Sequence, residues 1–188
     1  MAQEIQGMKV AILCTRGVEQ VELTEPREAL ESAGAQTHLI SPESGRVAAW
    51  DRTDWGDEFE VDVPVESARP EDYDALLLPG GVMNPDRLRM NERAVAFVRS
   101  FFDDGRPVAS ICHGPWMLVE ADVARGRRVT SYPSLKTDLR NAGAEWVDEE
   151  VVLDGGLVTS RRPDDLPAFN RRMVEAFGRG RERGRAAA

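Results

Sequence analysis

Three short apolar runs constrain the fold of this chain more than any other feature. Residues 8–14 read Met-Lys-Val-Ala-Ile-Leu-Cys, residues 74–79 Asp-Ala-Leu-Leu-Leu-Pro, and residues 106–112 Arg-Pro-Val-Ala-Ser-Ile-Cys. Each is too short for an ordinary helix and too continuously apolar for a strand with one wet face, so each reads as a strand buried on both sides. Helix signals separate them. Residues 24–34 start on Thr24 as an N-cap, carry Pro26 and close on Gly34, and residues 92–104 form an amphipathic stretch closed by Gly105. Further strands are expected at residues 37–41, 59–63 (alternating, half exposed), 129–131, 150–153 and 157–160, the last two joined by the turn Asp154-Gly155-Gly156. Two more helices are expected near residues 136–141 and 165–177. Buried strands alternating with helices predict an α/β three-layer sandwich, a mostly parallel sheet with helices on both faces.

At 188 residues with no internal repeat or linker, the expectation is one domain over residues 1–178. The basic stretch at residues 179–188 reads as a disordered end. A formal charge of −9 argues against a nucleic-acid surface, and no segment is apolar and long enough to span a bilayer. Two cysteines and no secretory signal suit a reducing cytoplasm. No Cys, His and carboxylate cluster has metal-ligand spacing, so neither a metal nor another cofactor is expected.

In open parallel sheets, sites form at the carboxyl ends of strands. The run ending at Cys112 is followed by His113-Gly114-Pro115 and a helix-like stretch, which is the order strand, nucleophile, tight turn, helix. A thiol at a helix start is expected to have a lowered pKa. The bland alternative is an inert buried cysteine. Gly80-Gly81, at the end of another strand, offers backbone N–H groups for an oxyanion, or is simply a turn needing φ > 0. His113 could hydrogen bond to Cys112 only with an unusual backbone, and otherwise caps the helix. Glu19 lies in an acid-rich loop with Glu22 and Glu25. These read first as a solvated helix entry, although a carboxyl buried against a thiol would be protonated and could donate to the thiolate. Asp86 reads as a helix-start aspartate. His38 and Cys14 read as structural.

The motifs Gly17-Val-Glu19-Gln-Val-Glu-Leu23, Asp74-Ala-Leu-Leu-Leu-Pro-Gly-Gly81, Pro107-Val-Ala-Ser-Ile-Cys-His-Gly-Pro115, Thr130-Ser-Tyr-Pro133 and Asn141-Ala-Gly-Ala-Glu-Trp-Val147 resemble the PfpI family. These are cysteine-dependent proteins of the class-I glutamine-amidotransferase-like superfamily, and the similarity spans about residues 9–177. The resemblance implies a flavodoxin-like sandwich with Cys112 as nucleophile, His113 beside it and Glu19 contacting the thiol. It also places Gly80, Gly81, Gly114 and Tyr132 at the oxyanion or substrate site. Asp86 is the candidate acid that would reach His113 of a neighbouring subunit, although protease-type members often carry Glu there and this chain has one extra residue before it. The implied function is a stress-response hydrolase with deglycase or glyoxalase chemistry on dicarbonyl-derived adducts. The alternatives are an oligomer-dependent peptidase and a redox sensor or chaperone acting through oxidation of Cys112. A small molecule or protein adduct would be the substrate, and a homo-oligomer, a dimer before a hexamer, the expected assembly.

Overall fold

A computed structural model describes residues 5–187, with side chains described through residue 180. Seven strands form the central sheet: β1 (Lys9–Leu13), β2 (Gln36–Ser41), β5 (Val63–Pro64), β6 (Ala75–Leu78), β7 (Val108–Ile111), β10 (Val151–Asp154) and β11 (Leu157–Ser160), while the short β8 (Arg128–Val129) and β9 (Glu145–Trp146) pair in parallel outside it. The order in the central sheet is β10-β11-β7-β6-β1-β2-β5, and every pairing in it is parallel except the β10–β11 hairpin. The expected α/β sandwich is therefore found. Strands β6, β7 and β11 are buried at every position, as the continuous apolar runs require.

Alternate residues of each strand feed two cores. Val10, Ile12, Leu77, Ala109 and Val158 face α1 (Gln20–Ser32) and α6 (Leu166–Ala187), where Leu23, Leu30, Phe169, Met173 and Phe177 close the layer. Ala11, Leu13, Leu76, Leu78 and Val108 face α3 (Glu92–Asp103), α4 (Trp116–Glu120) and α5 (Lys136–Asn141), with Phe97, Phe101, Leu118 and Leu139 among the residues that pack there. Asn91 caps α3 by accepting from the Ala94 N–H at 2.9 Å. Arg179 and Gly180 continue α6, with Gly180 against Pro107. The rest of the expected basic tail lies outside the residues with described side chains.

Two local departures from the sequence expectation shape the site. Helix α1 begins at Gln20, one turn before Thr24. Thr24 is inside it, its hydroxyl donating back to the Gln20 carbonyl at 3.1 Å, and Pro26 lies on the buried face. After β2, where one half-exposed strand is expected at residues 59–63, the chain instead forms an antiparallel hairpin of β3 (Arg46–Asp51) and β4 (Asp54–Glu60), and β4 ends at Glu60 before the short β5. Trp50 meets Trp55 edge-on across this hairpin, with ring centroids 5.4 Å apart. The hairpin is tied to the loop after β1, because the Trp50 N–H donates to the Val18 carbonyl at 2.7 Å and the Gly17 N–H to Ala48 at 2.9 Å.

Candidate active site at the Cys112 elbow

Cys112 follows β7 with φ of 62°, in the left-handed region that a side-chain-bearing residue enters only when its surroundings hold it there. They do. The Cys112 N–H donates to the Ser160 carbonyl of β11 at 3.0 Å, its carbonyl accepts from the Tyr132 N–H at 2.9 Å, and the Gly114 N–H closes the turn onto Ile111 at 2.9 Å. The reversed backbone puts two adjacent side chains on the same side, which an extended chain would not do. Cys112 Sγ lies 3.2 Å from His113 Nδ1, so the unusual backbone needed for an in-chain contact is present. His113 Nε2 lies 3.2 Å from the Ser134 hydroxyl, and its ring stacks on Tyr132 at 4.8 Å. Burial pushes the His113 pKa down to about 4, so the imidazole is neutral near pH 7.

The carboxyl at the thiol is Glu22, which corrects the expectation for Glu19. Because α1 starts early, residues 22, 23, 26 and 30 share its buried face, and Glu22 projects fully buried into the sheet edge beside Cys112. Glu22 Oε2 accepts from the Gly80 N–H at 2.9 Å, which sets the carboxyl beside the Cys112 thiol, close enough for each to shift the other's pKa. Glu19 sits one residue before the helix, where its side chain turns to the hairpin and accepts from the Arg52 N–H at 3.1 Å. It still lies on the wall of the same cavity, and burial raises its pKa.

Burial drives the Glu22 pKa up to about 8, against the opposing pull of the Cys112 thiol beside it, of the Gly80 N–H it accepts from and of the nearby Gly81 N–H. Its other oxygen, Oε1, is buried without an N–H donor, which suits a neutral acid better than a carboxylate. The Cys112 pKa also rises, first through burial and then through Glu22 when that group is charged, which corrects the expectation of a lowered value. The N–H groups of Gly81 and His113 pull the other way. Below pH 8 Glu22 holds its proton, so its push on the thiol is absent and the pair as a whole keeps at least one proton.

The two glycines are required here for close approach. A Cβ on Gly80 would stand 2.4 Å from Glu22 Oε2 and 2.6 Å from Cys112 Cβ, and Gly81 has φ of 82° with its Cβ position 2.7 Å from the Glu19 nitrogen. Since the Gly80 N–H is already engaged by Glu22 and the Gly114 N–H by Ile111, neither is free for an oxyanion. That leaves the Gly81 N–H among the glycines, together with the His113 N–H, as the donors near enough to the sulfur to lower its pKa. Gly114 instead allows tight packing, with its Cβ position 2.5 Å from the Leu78 carbonyl oxygen.

Asn84 was not singled out by the sequence, and it has a structural task at this site. Fully buried, it donates to the carbonyls of Pro79 and Gly80 at 3.0 Å each and accepts from the Thr15 N–H at 2.8 Å, joining the loops after β1 and β6. A buried amide in the first turn of a short helix, between Met83 and Pro85, leaves no periodic signal to read. Asp86 lies exposed in the first turn of α2 (Met83–Leu88), away from the cavity wall and without contact to His113 of its own chain. Among the described residues no three His, Cys, Asp or Glu side chains are grouped as a metal site.

A cavity of about 600 Å³ opens over the sulfur, walled by Gly17, Glu19, Glu22, Trp50, Arg52, Gly81, Val82, Met83, Cys112, His113, Tyr132 and Pro163. Residues 8–176 match the DJ-1/PfpI family. The chain belongs to that family. A deglycase of Pyrococcus horikoshii is 46% identical over 168 residues, covering 89% of this chain and 98% of the relative. The protein/nucleic acid deglycase 2 of Escherichia coli is 43% identical, covering 90% and 98%, and general stress protein 18 of Bacillus subtilis is 43% identical, covering 89% and 96%. Among solved structures, Drosophila melanogaster DJ-1beta superposes with a TM-score of 0.83 at 27% identity, covering 92% of this chain and 91% of that one. DJ-1/PfpI membership thus agrees with the motifs and with the sandwich. Among the described residues no helix is long and apolar enough to cross a membrane.

Proposed function

We propose that this protein is a cysteine-dependent deglycase acting on dicarbonyl-derived adducts of nitrogen or sulfur nucleophiles. The observation that carries the reading is the buried Glu22–Cys112 pair beside a neutral imidazole at the base of an open cavity, and the deglycase names of its relatives support it. The chemistry starts with the thiol proton moving to His113 Nδ1 as Sγ bonds to the substrate's carbonyl carbon. The carbonyl π pair moves onto oxygen, where the Gly81 and His113 N–H groups beside the sulfur receive the charge. Glu22 then supplies its proton to that oxygen and is left as a carboxylate, a base for later proton transfers. A neutral His113 and a protonated Glu22 at pH 7 are the states this sequence needs.

Peptidase chemistry asks for an acid that orients His113. Within one chain the outer ring nitrogen meets the Ser134 hydroxyl instead, so that reading depends on Asp86 of another copy. We infer a cytoplasmic homodimer, supported by two free thiols and by the exposed apolar Val82 and Met90 that flank Asp86 around α2. Light scattering should give twice the chain mass, and a monomer would remove the dimer. The functional test follows loss of the hemithioacetal formed from methylglyoxal and N-acetylcysteine. Cys112→Ala should lower the rate by about a thousandfold or more, whereas equal rates for the two proteins would end the deglycase reading.

A further inference from the structure

The cavity is larger than the chemistry at Cys112 needs. At about 600 Å³ it falls in the range of sites for drug-sized ligands, roughly 300–1,000 Å³, whereas a three-carbon dicarbonyl would fill only the part next to the sulfur. The rest of the wall therefore bears on what the dicarbonyl is attached to. Trp50, Met83 and Tyr132 offer apolar or aromatic surface, and Arg52 is the one Arg or Lys on the wall among the described residues.

Arg52 is held at this place by its backbone. It occupies the tip of the β3–β4 hairpin with φ of 58°, a conformation that Gly or Asn adopts with less strain. Its N–H donates to Glu19 Oε1 at 3.1 Å and its carbonyl accepts from the Trp50 indole at 2.9 Å, so both faces of the tip are tied to the cavity wall. The side chain is exposed, and its guanidinium makes no ion pair or hydrogen bond with another described residue. Asp51 and Asp54, next to it on the hairpin, are not on the cavity wall; the acid on the wall that feels the Arg52 charge is Glu19, whose carboxyl is already engaged by the Arg52 N–H. Glu22 and His113, deeper in the cavity, are both held toward their neutral forms. A strained, doubly anchored position thus presents an unpaired fork of donors to the mouth of a site whose deeper groups carry little charge. That is the chemistry that receives a planar or tetrahedral oxyanion.

We propose that Arg52 is the specificity residue of this cavity, receiving a carboxylate or phosphate of the substrate while the reacting carbon lies at Cys112. The proposal extends the deglycase reading by naming an anionic group on the molecule that carries the adduct, and its test does not need deglycase turnover. Iodoacetate and iodoacetamide alkylate the same thiol and differ by a carboxylate against an amide. The ratio of their rates at Cys112, followed by peptide mass spectrometry, cancels any change in thiol reactivity common to both. Arg52→Gly keeps a backbone that suits φ of 58° and removes the charge, and should lower the iodoacetate-to-iodoacetamide ratio roughly fivefold. Arg52→Lys should keep most of the wild-type ratio, and raising the salt should shrink the wild-type preference.

An unchanged ratio in Arg52→Gly overturns the proposal, as does a ratio that falls equally in Arg52→Lys. Two matched substrate pairs identify the anion: methylglyoxal adducts of N-acetylcysteine against its amide, and of guanosine 5′-monophosphate against guanosine. Arg52→Gly should raise KM for the charged member of whichever pair carries the preferred anion. If no adduct is consumed in a Cys112-dependent way, the deglycase reading falls while the alkylation ratio still decides for or against Arg52.

Discussion

Cys14 follows β1 and Cys112 follows β7, two strands that flank β6 in the same sheet, yet the two thiols sit in different chemistry. The Cys14 N–H continues the strand ladder, donating to the Ile40 carbonyl at 3.1 Å, and its side chain is sealed in the core beneath α1. Full burial pushes its pKa up to about 12. Cys112 is 7% exposed, with a left-handed backbone, an imidazole at 3.2 Å and a carboxylic acid beneath it. Strand ends and burial are common to both. What separates them is the reversal of the backbone at one residue and the helix that delivers Glu22.

The largest effect that could break this contrast is on turnover. Against a loss of about a thousandfold or more for Cys112→Ala, Cys14→Ala should keep the rate within about threefold. If the two variants lose comparable activity, the distinction between the sites is wrong. Gly80→Ala should cost roughly a hundredfold, since its methyl would displace both the Glu22 carboxyl and Cys112 Cβ, each nearer than 3 Å. A Gly80→Ala enzyme of ordinary rate would show that the pair tolerates misplacement.

A smaller effect separates the two carboxylates through stability. Glu22 has a folded-state pKa raised from 4.5 to about 8, so the native state binds its proton more tightly than the unfolded chain does. Its contribution is fully present below pH 4.5 and is lost as the pH rises through about 8. The urea midpoint of the wild type should therefore fall over that window by more than that of Glu22→Gln, which has no such proton to lose. Identical pH dependence in the two proteins would mean that Glu22 is not held as an acid.

The sheet was legible because buried parallel strands leave continuous apolar runs, and Cys112 because a strand, a Cys-His-Gly-Pro turn and a helix start coincide at one place. Glu22 was misassigned for a specific reason. Thr24 followed by Pro26 imitates a helix start, and moving the start back to Gln20 exchanges which acid faces the core. The hairpin was equally opaque, since β4 is largely exposed and carries Asp54, Asp57, Glu58 and Glu60, so its sequence reads as a polar loop. Its pairing rests on Trp50 against Trp55 and on Gln20, whose side chain exchanges hydrogen bonds with Asp57 at 2.7 and 3.0 Å. Contacts of that kind join residues far apart in the chain and have no local pattern. Neighbouring Gly80 and Gly81 could not be told apart by sequence either, because the difference lies in which N–H the Glu22 carboxyl takes.

The claim that Glu22 controls the proton at Cys112 is tested most directly by the pH profile of Cys112 alkylation with iodoacetamide in wild type, Glu22→Gln and Glu19→Gln. The wild type should show an inflection near pH 8, where the Glu22 carboxyl ionises beside the sulfur. That inflection should vanish in Glu22→Gln and persist in Glu19→Gln. A profile that keeps it without Glu22, or loses it without Glu19, contradicts the account.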